Sequence, residues 1–198
     1  MTDYPERLSA IVFCQGCPWR CAYCHNPHLL ERRGATEIAW PDVLAFLARR
    51  RRLLDAVVFS GGEPTLHAGL PAAIRAVKDM GFAIGLHTAG IHPRRLGEVL
   101  PLVNWVGMDI KAPFPDYPRI TGVAGSGERA LASARLILAS GVAHEFRITV
   151  HAGLLSHVAI AEICEALVAM GVRHYALQEY RPAAFAANPV SPAGGHLP

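Results

Sequence analysis

The sequence predicts an α/β protein built on a parallel sheet, and three observations carry that prediction. Short β-branched, apolar runs alternate with helix-patterned segments of about ten to fifteen residues, which implies right-handed crossovers between parallel strands. Six such units can be counted along the chain. The unusual polar and cysteine motifs follow one strand after another, as expected where the loops after parallel strands share one rim. At 198 residues the chain suits a single hydrophobic core. Six units are too few for an eight-stranded barrel, so an open doubly wound sheet and a partial barrel both satisfy the pattern.

Leu8 to Phe13 reads as the first strand, with a cysteine-rich loop directly after it. Pro41 and Asp42 open a helix with Val43, Leu44, Phe46 and Leu47 at core spacing, ending in Arg49, Arg50, Arg51 and Arg52. Ala56 to Ser60 is a buried-type strand running into Gly61-Gly62-Glu63-Pro64, and Leu70 to Met80 is a helix stopped by Gly81. Phe82 to Leu86 is the third strand, ending at His87-Thr88-Ala89-Gly90. Pro93 begins a helix through Leu100, and Trp105 to Ile110 is the fourth strand, carrying Asp109 and Lys111 at its end. Glu128 to Ser140 is helical, Glu145 to Val150 is strand five, Val158 to Met170 is helical and Tyr175 to Tyr180 is strand six. Residues 1–181 form the expected core domain, and 182–198 a Pro/Ala/Gly-rich tail that wraps loosely or frays.

Composition narrows the function classes. Hydrophobic residues make up 52% and charged ones 18%, and no apolar run approaches the ~20 residues that cross a bilayer. The N-terminal MTDYPERLSA lacks the basic start and apolar stretch of a secretory signal, so a cytoplasmic location is expected. Net charge is only +3, and the arginine run falls at a helix end, where cations complement the dipole and project into solvent. Neither membrane nor nucleic acid is an expected partner.

Four of the five cysteines lie between residues 13 and 28, and Cys17, Cys21 and Cys24 form a C-x3-C-x2-C run. That spacing lets three thiolates converge from one loop onto an inorganic centre, and thiolates select iron–sulfur clusters, zinc or copper(I). Clustering of this kind fits metal ligation in a reducing compartment better than a disulfide framework. Cys14 offers a fourth thiolate for zinc, but zinc ribbons separate their paired knuckles by roughly 15–20 residues and only three intervene here. Cys14 reads instead as a small buried thiol at a strand end, and the isolated Cys164 as a core residue.

The run from Gln15 through Cys17-Pro18-Trp19-Arg20-Cys21-Ala22-Tyr23-Cys24-His25-Asn26-Pro27 resembles the radical S-adenosylmethionine (radical SAM) superfamily. Its cluster motif is this C-x3-C-x2-C with an aromatic residue, here Tyr23, before the last cysteine. The wider string is similar to the activating proteins of anaerobic ribonucleotide reductase and other glycyl radical enzymes. The resemblance implies a curved (β/α)6 partial barrel, a [4Fe–4S] cluster on the three cysteines and SAM chelating its open iron.

A ligand of that kind needs acceptors for its ammonium, a cation or donors for its carboxylate, polar partners for its ribose and an apolar shelf for its adenine. Ser60-Gly61-Gly62-Glu63-Pro64 resembles the family's GGEP motif, implying close backbone approach with Glu63 accepting from the ammonium. Asp109 and Lys111 project from the same side of an extended segment. They resemble the Asp-x-Lys element of the activases, Asp109 for the ribose hydroxyls and Lys111 for the carboxylate. At strand three those activases often carry Asp-Thr-Asn-Gly. Here Thr88 and Gly90 match while His87 and Ala89 do not, so His87 is expected to accept a hydrogen bond in place of the carboxylate. Arg147, His151, Gln178 and Glu179 sit near the ends of strands five and six. Arg147 and His151 are within expected reach of the ligand, while His25 and Asn26 are placed to bond the cluster sulfurs or SAM.

The activity implied by the resemblance is reductive cleavage of SAM to methionine and a 5′-deoxyadenosyl radical, which abstracts hydrogen from a backbone glycine of a partner enzyme. The expected partner is the anaerobic ribonucleoside-triphosphate reductase, with a flavodoxin- or ferredoxin-type reductant. The small size and absence of an auxiliary cysteine cluster favour a protein loop as substrate. The alternatives are a radical SAM enzyme acting on a small molecule, peptide or RNA, and a non-catalytic zinc or iron–sulfur module.

Overall fold

In the computed structural model, which describes residues 3–34 and 37–181, the chain forms one six-stranded sheet. The strands are β1 (Ser9–Cys14), β2 (Ala56–Gly61), β3 (Ala83–Thr88), β4 (Trp105–Ile110), β5 (Ala143–Val150) and β6 (Tyr175–Glu179). The helices are α1 (Trp40–Ala48), α2 (Leu70–Asp79), α3 (Pro93–Val99), α4 (Tyr117–Thr121), α5 (Ser126–Ser140) and α6 (His157–Ala169). Every neighbouring pair is parallel and the spatial order is β1-β2-β3-β4-β5-β6. In that order each right-handed crossover steps the same way, which keeps the helices on one face. A doubly wound sheet reverses direction at a switch point and carries helices on both faces, so that alternative is excluded. β1 and β6 are the unpaired edges of an open partial barrel.

All six predicted strands are present, with small differences at their ends. Cys14 is the last residue of β1, and His87 and Thr88 belong to β3. The short α4 has no strong periodicity in the sequence and was not expected; Pro118 at its second position and a left-handed Gly122 after it bracket the single turn. α1 ends at Ala48, so the four arginines follow the helix, with the Arg50 guanidinium 4.8 Å from the Phe46 ring. The tail from 182 to 198 lies outside the described residues.

The convex, helix-covered side of the sheet is the main core. Val57 and Phe59, Ile84 and Leu86, Val106 and Met108, Phe146 and Ile148 alternate along their strands and pack, essentially unexposed, on Ile74, Leu96, Ala134 and Ile163 of the helices. The concave side is apolar only at the amino end of the strands, where Tyr4 packs with Ala56, Val58 and Trp105, its ring centroid 5.4 Å from that of Trp105. Above this plug the same strand face turns polar.

Candidate functional site

The site begins with how the cysteine loop is held. Where β1 ends, Gly62 N–H donates to Cys14 O and Glu63 N–H to Gly16 O, both at 2.9 Å, so the segment after β2 clasps the root of the loop. The clasp explains both glycines. Gly61 has φ +113°, and a Cβ there would fall on the Cys14 backbone, while one on Gly62 would fall on the carbonyls of Gly16 and Leu29. The two glycines are thus needed first for the approach of two backbone segments, and they line the cleft as well.

Beyond the clasp, Arg20 N–H donates to Thr121 O and Ala22 N–H to Ile120 O, tying the loop to α4. Trp19 is buried edge-on to Tyr117 at 5.9 Å, and the Tyr117 hydroxyl accepts the Lys111 N–H. Tyr23 donates its hydroxyl to Lys111 O, so two tyrosines fix the chain just past β4.

These constraints shape an open cleft at the carboxyl ends of the strands. Cys17, Cys21 and Cys24 line it together with Tyr23, His25, Asn26, Ser60, Gly61, Gly62, His87, Thr88, Asp109, Lys111 and Arg147. Fourteen of the sixteen residues proposed from sequence as cofactor or metal contacts thereby meet in one cleft.

The charged wall is organised around Asp109. Register sets Asp109 opposite Arg147, whose Nε and Nη2 both lie 3.0 Å from Oδ1, while Lys111 Nζ is 3.6 Å from Oδ2. Burial alone would raise the Asp109 carboxyl, but Arg147 and then Lys111 hold it below the ordinary carboxylate range. Burial also works against the Lys111 ammonium, and Asp109 overrides it, so that its pKa lies above the usual lysine value. Arg147 reaches further, with Nη1 3.3 Å from His87 Nε2 on β3. Gly107 makes that reach possible, because a Cβ there would lie 3.0 Å from Arg147 Cζ and 2.7 Å from the Trp105 ring. His87 also meets Ser60 Oγ at 3.2 Å and Asp3 O at 2.8 Å. Burial first, then Arg147, lowers its pKa, leaving a neutral imidazole.

Two sequence-based expectations are corrected. Glu63 does not face the ligand space: it is fully buried beneath the cleft. Its Oε1 accepts from Thr65 N–H, Thr65 Oγ1 and Thr88 Oγ1, and its Oε2 from Ala89 N–H. The carboxylate therefore positions Thr88 and Ala89, which do line the cleft. His151 lies outside the lining, its ring centroid 4.5 Å from that of Tyr180, and its Nδ1 accepts the Gly153 N–H. Gln178 is half-buried and Glu179 exposed on the edge strand, neither in the lining. Sequence reading missed Trp19, Leu30, Ala89 and Thr149 in the lining and Gly107 and Tyr117 behind it. A glycine inside an otherwise apolar strand was the available signal for Gly107.

The donor set fits an iron–sulfur centre. Cys14 belongs to the convex core, where burial pushes its thiol up to about 12, so a fourth loop ligand is lacking and the zinc arrangement falls away. Among the described residues no three His, Cys, Asp or Glu side chains gather closely enough for a single metal ion. The three thiols instead border one broad cleft. Burial raises Cys21 and pushes Cys17 up to about 11, so both are neutral thiols until a metal takes them as thiolates. Trp19, beside them, carries a buried Nε1 with no hydrogen-bond partner, a spare donor of the kind that tunes cluster sulfurs.

Comparison with known proteins agrees with this geometry. A profile of the Radical SAM superfamily matches residues 11–165. A Methanocaldococcus jannaschii protein provisionally named as a glycyl-radical enzyme activating enzyme is 37% identical over 132 residues, 64% of this chain and 52% of that one. The pyruvate formate-lyase-activating enzyme of Clostridium pasteurianum is 34% identical over 126 residues, 61% of this chain and 53% of that protein. The PqqA peptide cyclase of Gluconobacter oxydans is 34% identical over 146 residues, covering 68% and 39%. The chain thus spans about half, or less, of the length of these relatives. The solved structure of native anSMEcpe with bound AdoMet matches 88% of the chain and 52% of its own with a TM-score of 0.71 at 16% identity, a likeness of fold.

Proposed function

The chain belongs to the radical SAM superfamily, and from that premise we propose that it is an activating enzyme that installs a glycyl radical on a partner protein. The observation that carries the reading is the single open cleft in which the cysteine triad faces a wall bearing both charges. In it Cys17, Cys21 and Cys24 would hold a [4Fe–4S] cluster. A reduced cluster held there would supply the electron that cleaves bound SAM into methionine and a hydrogen-abstracting 5′-deoxyadenosyl radical.

The residues of this chain supply binding and orientation. Lys111 and the Arg147 guanidinium are the cations available to a carboxylate in the cleft, and Asp109 the acceptor for hydroxyls or an ammonium. Arg147 and Lys111 pin Asp109 in its ionised state, so its geometry is set before a ligand arrives. Neutral His87 adds a polar contact without a third positive charge. Glu63, from below, keeps Thr88 and Ala89 in place, and the Tyr23 and Tyr117 hydroxyls fix Lys111.

Two features support a protein loop as substrate. The barrel is open between β1 and β6, and two of the relatives above carry activating-enzyme names. We assign the anaerobic ribonucleoside-triphosphate reductase as partner, a flavodoxin- or ferredoxin-type protein as electron donor and the cytoplasm as location. No described helix is long and apolar enough to cross a membrane. The similarity to the peptide cyclase favours one other reading, modification of a peptide through the same cleft.

The test is anaerobic cluster reconstitution, dithionite reduction and addition of SAM with or without the candidate reductase. 5′-Deoxyadenosine is followed by chromatography and the glycyl radical by electron paramagnetic resonance. Product from the parent but not from the Cys17→Ala/Cys21→Ala/Cys24→Ala variant, with a partner-dependent glycyl signal, supports the proposal. Turnover on a peptide with no glycyl signal would transfer it to the second reading.

A further inference from the structure

Beside the cleft, and separate from it, lies an open recess of about 290 Å³ lined by Ile91, His92, Pro93, Arg94, Arg95 and Arg129. The two spaces sit on either side of one turn. Thr88 and Ala89 line the cleft, and after Gly90 the chain passes to Ile91 and His92 in the recess. α3 contributes Arg94 and Arg95, and α5 contributes Arg129. α5 is tied to the turn by Ser133 Oγ, which donates to Gly90 O at 2.8 Å.

The recess is lined by three guanidiniums and no carboxylate. None of the three arginines forms an ion pair among the described residues. Arg95 is held by two carbonyls, its Nη1 donating to Thr65 O at 3.2 Å and to Leu66 O, which fixes the group without neutralising it. Glu98 lines the adjoining recess with Arg94 and Arg95, and Glu128 precedes Arg129, yet neither closes a salt bridge to them. His92 is part of the wall, with its Nε2 buried behind the surface and without a hydrogen-bond partner. Burial, then Arg95 and Arg129, lowers the His92 pKa, so the ring adds no fourth charge of its own.

Three like charges around one recess repel unless an anion joins them. Planar guanidinium forks match the oxygens of phosphate-type anions. Three guanidiniums around one recess suit a compact, multiply charged anion. We propose that this recess binds a phosphate-type oxyanion, either free or as part of a nucleotide. The proposal does not rest on which substrate the cleft serves.

The test is calorimetric titration of the reconstituted full chain with inorganic phosphate and, separately, with ATP, each against potassium chloride at matched ionic strength. The same titrations are run on an Arg94→Gln/Arg129→Gln variant, whose two exposed positions leave the Arg95 anchor untouched. The expected result is saturable one-site binding to the parent, weakened at least about tenfold in the variant, since each charge-assisted bond is worth that much or more. A matching rise in thermal midpoint with ligand concentration would accompany it in the parent alone. Equal affinity for both probes identifies the free oxyanion as the ligand, and much tighter ATP binding identifies a nucleotide. No saturable binding beyond chloride, or unchanged affinity in the double variant, overturns the proposal.

Discussion

The convex and concave faces of the sheet are built from alternate residues of the same strands, and they do opposite work. On the convex side Phe59, Leu86, Met108 and Ile148 disappear into the helices, and nothing titrates among them. On the concave side Ser60, His87, Asp109 and Arg147 satisfy one another by hydrogen bonds and ion pairs while facing open space, and Gly107 leaves room for Arg147 between them. The period of two along a strand lets one short sequence hold the fold with one parity and present chemistry with the other. A polar layer of this kind stands only because a rigid apolar layer lies behind it.

The sharpest way to break the comparison is to truncate two adjacent residues. Leu86→Ala opens a cavity in the convex core and should cost about 2–5 kcal/mol of stability by denaturant unfolding. His87→Ala, one residue on, should cost about 1 kcal/mol or less, since it removes contacts of a half-buried neutral ring. It should weaken SAM binding nonetheless. Equal losses of stability from the two variants would mean that the faces are not energetically distinct.

Glycines give the next largest contrast. Gly61→Ala places a side chain at positive φ against the Cys14 backbone, and should cost about 2–4 kcal/mol with impaired cluster retention. Gly69→Ala, before α2, meets nothing within 4 Å at an ordinary helical φ of −76° and should stay within about 0.5 kcal/mol of the parent. Thermal melts of the two apoproteins and iron content after reconstitution check both statements. A stable Gly61→Ala protein would show that the clasp is not what holds the loop.

The same contrast explains how much could be read from the chain. The convex face was legible because burial selects apolar, β-branched residues in runs such as Ala56 to Phe59, and the six strands followed from those runs. The cleft was legible where chemistry demands rare residue types at fixed spacing, as in the cysteine triad and Asp109 with Lys111. Roles were less legible than places. Glu63 carries the motif's only charge, yet its carboxylate is fully engaged by Thr65, Thr88 and Ala89, and no local pattern reveals partners 25 residues away. His151 follows a strand whose alternate residues Arg147 and Thr149 line the cleft, but the turn through Gly153 takes the ring onto Tyr180 instead. α4 was missed because five residues provide no periodicity.

Within the concave layer, Asp109 is the residue whose loss should matter most. Asp109→Asn leaves Arg147 and Lys111 facing each other without the carboxylate between them. Its side chain is 37% exposed, so solvent screens part of the penalty. A loss of about 1–3 kcal/mol is expected, below the 3–5 kcal/mol typical of fully buried broken pairs. The affinity for SAM should fall more steeply than stability does, which equilibrium binding to the reconstituted protein would register. An Asp109→Asn protein that binds SAM as the parent does would remove the charged wall from the proposed site.

The smallest effect is a pH dependence confined to one face. Burial and Arg147 lower the His87 pKa in the folded protein, so the unfolded chain takes up a proton there first. The contribution of this group is therefore complete above the ordinary histidine value of about 6.5 and is lost as pH falls towards the lowered folded value. Asp109, also depressed, follows the carboxylate rule in a separate window: its contribution is present above about pH 4 and is lost only in stronger acid. His87→Gln removes the first titration while keeping a polar side chain. The stability advantage of the parent over this variant should be flat above about pH 7 and shrink as pH drops through 6, whereas the deficit of Leu86→Ala should not change across that range. If the His87→Gln difference is also flat, burial and Arg147 do not depress the imidazole in the folded protein, and the electrostatic coupling of β3 to Asp109 and Arg147 is lost from the account.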